Sequence, residues 1–235
     1  MDILENIKVF YDGVLIEKYG KLPYVKGFTT NTSFMKAGNK LNYTTFFNEN
    51  KETINNRPFS LQIFEDDYDK AYEQAMIITS LGDNVYVKVP IITSTGQSNI
   101  KLISKLLYDN IKVNITAIFT KDQIDLINDL LNDISTPVIV SIFAGRIIDT
   151  CIDPAALLKY SSLLFKQLSH VEILWAGCKD IMSIKTAIDT GCHIITIPDS
   201  ILDRVHRINK DLTEFSLETV QCFKHDAVQG NIILQ

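Results

Sequence analysis

The chain has 235 residues, 46% of them hydrophobic and 22% charged, the balance of a globular protein with a sizeable core. A net charge of −5 without a long basic run argues against a nucleic-acid surface, and no apolar stretch reaches the roughly 18 residues of a membrane span. Cys151, Cys178, Cys192 and Cys222 are widely spaced with no C-x-x-C pair, which argues against a structural zinc site or a disulfide framework.

Short β-rich runs alternate along the chain with longer amphipathic stretches. The pattern predicts strands over 7–12, 24–28, 59–64, 84–89, 112–116, 138–143, 171–175 and 193–197. Helices are predicted over 67–79, 98–108, 121–132, 154–168 and 179–190. Strand followed by helix, repeated in this way, signals a parallel sheet, and eight strands in a chain of this length point to one (β/α)₈ barrel domain spanning residues 1–235. An open doubly wound sheet is the alternative, but no G-x-G-x-x-G follows a strand. Residues 210–229 read as an additional C-terminal helix for packing or assembly, and a homo-oligomer is expected. Residues 1–5 lack the basic start and apolar core of a secretion signal, so a cytoplasmic location is expected.

Strand periodicity locates the chemistry. Side chains alternate between the two faces of a strand, and barrel active sites gather at the C-terminal strand ends. In Val85-Tyr86-Val87-Lys88-Val89-Pro90 the valines suit packing against helices, which turns Tyr86 and Lys88 inward. An amine held among apolar groups is pushed toward its neutral form, the only form that attacks a carbonyl. The competing reading is a strand-end lysine that reaches solvent or pairs with an acid. Neighbouring strands repeat the pattern: Asp12 ends the first on the inward side, Ser60 and Gln62 alternate with apolar residues, and Asn114, Thr116, Ser141 and Phe143 face inward. Each has a bland alternative, a loop cap for Asp12 and backbone-bonded core hydroxyls for Ser60 and Ser141.

The segments KVFYD, GFTTNTS, YVKVP, VNITAIFT, SIFAGRIID and GCHIITIP occur in the order seen in the transaldolase family. The chain resembles its short members, which include the fructose-6-phosphate aldolases, from about Ile7 to Pro198. The resemblance implies that Lys88 forms a Schiff base, that Asp12 transfers protons at the substrate hydroxyls, and that Thr116 and Gln62 hold a water for imine formation. It further implies that Asn31, Asn114 and Ser141 bind a dihydroxyacetone unit and that Arg146 grips a phosphate. Neither a metal nor an organic cofactor is implied.

Departures from the family pattern fall at Thr32, where proline is usual, at Gly13, and at Gly177, where a phosphate-contacting serine is common; Lys179 keeps a positive charge nearby. Trp175 reads as a core or rim aromatic, and the run Glu65-Asp66-Asp67 as a helix start. Transaldolases usually carry glutamate at the Gln62 position and phenylalanine at the Phe143 position, whereas the aldolases carry glutamine and tyrosine. Phe143 is given the greater weight because it lacks a phenol to hold a hydrolytic water. The implied activity is transfer of a dihydroxyacetone unit from a phosphorylated ketose to an aldehyde, in carbohydrate metabolism of the pentose phosphate type. A class I aldolase releasing free dihydroxyacetone and a catalytically silent sugar-phosphate binding protein are the alternatives.

Overall fold

The computed structural model describes residues 2–233. Eight strands, β1 (Lys8–Asp12), β2 (Val25–Thr29), β3 (Phe59–Gln62), β4 (Val85–Pro90), β5 (Val113–Ile118), β6 (Val138–Ile142), β7 (Val171–Trp175) and β8 (Ile194–Ile197), lie in sequential order in a closed barrel. All pairs are parallel, and β1 pairs with both β2 and β8, so the sheet has no free edge. The helices are α1 (Ile16–Tyr19), α2 (Thr32–Ala37), α3 (Tyr43–Ile54), α4 (Tyr68–Thr79), α5 (Ile100–Tyr108), α6 (Lys121–Asn132), α7 (Ala144–Ile148), α8 (Ala155–Leu164), α9 (Met182–Asp189), α10 (Asp199–Leu202) and α11 (Leu212–Gln229). This is the (β/α)₈ barrel with a C-terminal helix that the alternating pattern implies. None of the helices is long and apolar enough to cross a membrane among the described residues.

The alternation of side chains sorts the core into two shells. Val9, Tyr11, Val85, Val87, Val89, Val113, Ile115, Val138 and Val140 point outward and join one large apolar layer beneath the helices. Phe10, Tyr86, Ile139, Leu174, Ala176 and Ile194 form a separate cluster inside the barrel. The inner cluster fills the lower barrel, so the polar inward residues above it sit on an apolar floor.

Two helices between β2 and β3, α2 and α3, lie outside the predicted set. The α3 segment is rich in Thr, Tyr, Phe and Asn, which are weak helix formers. Tertiary contacts decide its state: Asn42 caps the start by accepting from Thr45 N at 2.8 Å, and Phe46 and Phe47 pack on Phe59 at 6.1 and 5.7 Å. β3 ends two residues before the predicted limit, and Phe64 stands 64% exposed. Tyr43 of α3 donates to the Gln62 carbonyl at 2.8 Å, fixing the strand end where the chain leaves the sheet. Asp67 caps α4 by accepting from Lys70 N at 3.1 Å, as a helix start should. Asp211 caps α11 in the same way, and no residue of that helix is buried.

Two glycines shape the barrel rim. Gly145 opens α7 with no Cβ, and an added one would lie 1.6 Å from the Gly177 carbonyl oxygen. Gly177 itself has φ +75, a conformation open to glycine at little cost. The Gly145 amide donates to Ala176 O at 3.1 Å, which pins the end of β6 to the end of β7.

Candidate active site

Strand register brings the inward polar residues together. Lys88 lies opposite Gln62 on one side and Asn114 on the other, Asp12 opposite Thr29, and Pro90 opposite Thr116. Above the inner cluster is a cavity of about 370 Å³ at the C-terminal strand ends, the end where barrel chemistry occurs. Asp12, Asn31, Gln62, Lys88, Thr116 and Ser141 line its polar side, with Phe143 and Arg146 toward the rim. A roomier hollow of about 550 Å³ lies at the opposite end of the barrel. Of its two lysines, both exposed, Lys8 is ion-paired with Glu172 at 2.6 Å and Lys26 donates to the Pro23 carbonyl at 2.9 Å, so neither is a desolvated nucleophile.

Lys88 is only 6% exposed. Burial pushes its amine below the ordinary lysine value, and the nearby Asp12 carboxylate opposes this only in part. The amine donates to the Thr30 carbonyl at 3.3 Å, and no ion pair joins it to Asp12 among the described residues. Burial raises the Asp12 carboxyl above its usual value, against the opposing pull of Lys88 and of Thr29, whose hydroxyl donates to Asp12 Oδ1 at 2.7 Å. Both groups are thereby drawn toward their neutral forms.

Thr116 Oγ1 is buried and has no hydrogen-bond partner among the described residues. An orphaned hydroxyl on a cavity wall is open to a ligand or to a water. β5 makes room for it with a register break between Ile115 and Ile118, at which Ala117 takes φ +60. The break sets Thr116 and Ala117 on the cavity while Ile118 returns to the outer shell. A left-handed alanine costs about 1–2 kcal/mol, so the surrounding packing must hold it.

Asn114 takes a different place from the other candidates. It is fully buried and outside the cavity lining, donating to Ser60 Oγ at 3.1 Å and accepting from Ser141 Oγ at 2.6 Å. It ties β3, β5 and β6 together beside Lys88. Asn31 caps α2 by accepting from Phe34 N at 3.0 Å, so its side-chain oxygen is occupied and its amide N–H groups stay available.

At the rim, Arg146 is exposed, and its guanidinium lies 5.8 Å from the centre of the Phe143 ring. Asp149, three residues beyond Arg146, pairs with Lys179 at 3.1 Å. Arg146 lies in the cavity lining, and Lys179 stands outside it. Phe119, outside both the cavity lining and the residues singled out from the sequence, packs against Phe143 with ring centres 5.5 Å apart. Alternation hides it, because the break at Ala117 shifts the phase of the strand. Trp175 is buried with its outward neighbours, in keeping with a core aromatic.

The family described as Transaldolase/Fructose-6-phosphate aldolase matches residues 9–231 of the chain. A probable transaldolase of Nitrosopumilus maritimus is 30% identical over 217 residues, covering 90% of this chain and 92% of that protein. A probable transaldolase of Thermoplasma volcanium is 30% identical over 202 residues, covering 83% of this chain and 86% of that protein. Among solved structures, orotidine 5'-monophosphate decarboxylase from Sulfolobus solfataricus aligns with a TM-score of 0.54 at 11% identity over 84% of this chain and 90% of that one. Dihydrodipicolinate synthase from Rhodopseudomonas palustris aligns with a TM-score of 0.54 at 10% identity over 82% of this chain and 70% of that one. At such identities these two structures speak to the barrel alone.

The buried amine has a cost that depends on pH. Between the ordinary lysine value and the lowered folded one, falling pH costs stability, because the unfolded chain binds a proton that the folded chain has released. Lys88→Met removes that cost. Its gain should grow by about 1.4 kcal/mol per pH unit as pH falls through the window and vanish above the ordinary lysine value. At this chain length each kcal/mol corresponds to about 2–4 °C in Tm. Melting curves of both proteins across pH check this; a Tm difference independent of pH would show that Lys88 keeps its proton in the fold.

Proposed function

Because the chain belongs to the transaldolase/fructose-6-phosphate aldolase family and is a transferase/aldolase-type enzyme, we propose that it moves a dihydroxyacetone unit from a phosphorylated ketose to an aldehyde through a Schiff base on Lys88. The observation that carries this reading is the desolvated Lys88 amine beside Asp12 at the centre of the barrel mouth.

In this mechanism the neutral amine attacks the ketose carbonyl, and water leaves from the carbinolamine to give a protonated imine. Thr116, with its orphaned hydroxyl, and Gln62 hold the departing water. Asp12 then takes the proton of the hydroxyl β to the imine. The bond between the α and β carbons breaks, its electron pair moves into the imine, and an aldehyde departs from an enamine bound to Lys88. A carboxyl raised toward working pH suits a group that must take a proton and return it. An acceptor aldehyde takes the enamine's electron pair in a new carbon–carbon bond, Asp12 protonates the new alkoxide, and hydrolysis frees the ketose. Asn31 and Ser141 line the cavity where the dihydroxyacetone hydroxyls lie in this reading, with Asn114 orienting Ser141 from below. Arg146 receives the distal phosphate through its planar fork.

The second reading, hydrolytic release of free dihydroxyacetone, is favoured by Gln62, since the aldolases of the family carry glutamine at this position. Phe143 favours transfer, since its ring holds no water against the imine.

Borohydride added with fructose 6-phosphate should reduce the imine and leave a three-carbon adduct on Lys88, read by intact mass and peptide mapping. An adduct on another lysine, or none with any ketose phosphate tried, would remove the Schiff-base mechanism.

Arg146→Ala should lower kcat/KM roughly tenfold or more for phosphorylated ketoses, the scale of one charge-assisted hydrogen bond. Unphosphorylated analogues should lose far less. Equal losses on both, with a lower Tm, would make Arg146 a structural residue.

A further inference from the structure

Phe143 is the aromatic wall of the cavity, and the structure shows what holds it in place. From the barrel side it packs against the inner cluster that includes Leu174 and Ala176. From the other side Phe119 meets it with ring centres 5.5 Å apart and planes tilted by 47°. The two segments are joined through the main chain, where the Phe143 amide donates to Ile118 O at 2.8 Å.

Phe119 is itself fixed. Its amide donates to Gln123 Oε1 at 2.8 Å, and the same oxygen accepts from Thr120 N at 3.1 Å. Thr120 Oγ1 in turn accepts from Gln123 N, closing a capping box at the start of α6. The register break at Ala117 sends Ile118 outward and carries Phe119 to the rim, 37% exposed. A strained bulge, a capped helix and a ring pair thus converge on one side chain that touches neither the cavity nor Lys88.

We infer that Phe119 is a positioning residue that holds Phe143 as a dry wall and so sets how the covalent intermediate divides between transfer and hydrolytic release. The inference rests on the Schiff-base reading above. In transfer, the enamine carbon bonds to the acceptor carbonyl and the proton held by Asp12 ends on the new hydroxyl. In release, the enamine carbon takes the proton held by Asp12 through a water, a second water adds to the resulting imine, and the carbinolamine breaks to dihydroxyacetone and the free Lys88 amine. Both routes end in hydrolysis of an imine, so they part at the enamine: an acceptor that arrives first gives transfer, and water that carries the proton to the enamine carbon first gives release. A Phe143 ring without its partner gains freedom to swing and lets water in, whereas the groups that form the imine are untouched.

The test uses fructose 6-phosphate as donor and erythrose 4-phosphate as acceptor, with Phe119→Ala, Phe119→Leu and the unaltered protein. Borohydride adducts on Lys88 should form in all three. The ratio of free dihydroxyacetone to transfer product should rise roughly two- to tenfold in Phe119→Ala, the scale of one aromatic pair, and in part in Phe119→Leu, which keeps apolar bulk. If Phe119→Ala does not fold, a rise in the folded Phe119→Leu protein carries the same weight. Adducts in every variant with an unchanged ratio would overturn the role of Phe119 alone. No adduct in the unaltered protein would overturn the Schiff-base reading, and this inference with it.

Discussion

The cavity is organised around an amine and a carboxyl withdrawn from water at the same end of one barrel. Neither Lys88 nor Asp12 finds an ion-pair partner among the described residues, and burial moves each toward its neutral form. A surface lysine would hold its proton at neutral pH and be unable to attack a carbonyl. The structure supplies one weak acceptor, the Thr30 carbonyl at 3.3 Å, which orients the amine without neutralising a positive charge. Thr29 steadies the carboxyl from the neighbouring strand. These contacts make sense only because the barrel closes: an open sheet would leave the same side chains facing helices or solvent.

Closure also divides the labour between the two faces of each strand. Outward valines and isoleucines bury themselves under the helices and stabilise the barrel. Inward positions change character along the strand, from the apolar cluster of Phe10, Ile139, Leu174 and Ile194 to the polar residues of the mouth. The buried chain Ser60–Asn114–Ser141 lies at the boundary between these zones, and satisfied hydrogen bonds there make a rigid support for the cavity floor.

Much of this was legible in the sequence because strands with one polar and one apolar face announce their pleat. The strand β4 pattern turned Lys88 inward, and the same alternation placed Asp12, Gln62, Thr116 and Ser141 on its side of the sheet. What stayed hidden depends on contacts between distant segments. The helices α2 and α3 form where Asn31 and Asn42 cap them and where phenylalanines of α3 find Phe59, none of which a propensity scale reports. Lys179 follows a strand end, and its pairing with Asp149 at the end of α7 joins segments far apart in the chain. Asn114 has the phase its strand implies, but its bonds to Ser60 and Ser141, which no periodicity reports, join it into a serine–asparagine–serine chain. Phe119 escaped because a single left-handed residue, Ala117, breaks the alternation just before it.

The withdrawn proton of Lys88 is the feature on which the proposed chemistry stands, and it is open to direct measurement. Lysine labelled with ¹³C at Cε gives a titration curve for each amine by nuclear magnetic resonance, and Lys88→Met assigns the relevant signal by its loss. Lys88 should titrate well below the exposed lysines, so that its neutral fraction and its capacity to form an imine rise with pH through that lowered value. A Lys88 signal titrating together with the exposed lysines would contradict it, leaving a charged amine in the barrel mouth and no nucleophile there.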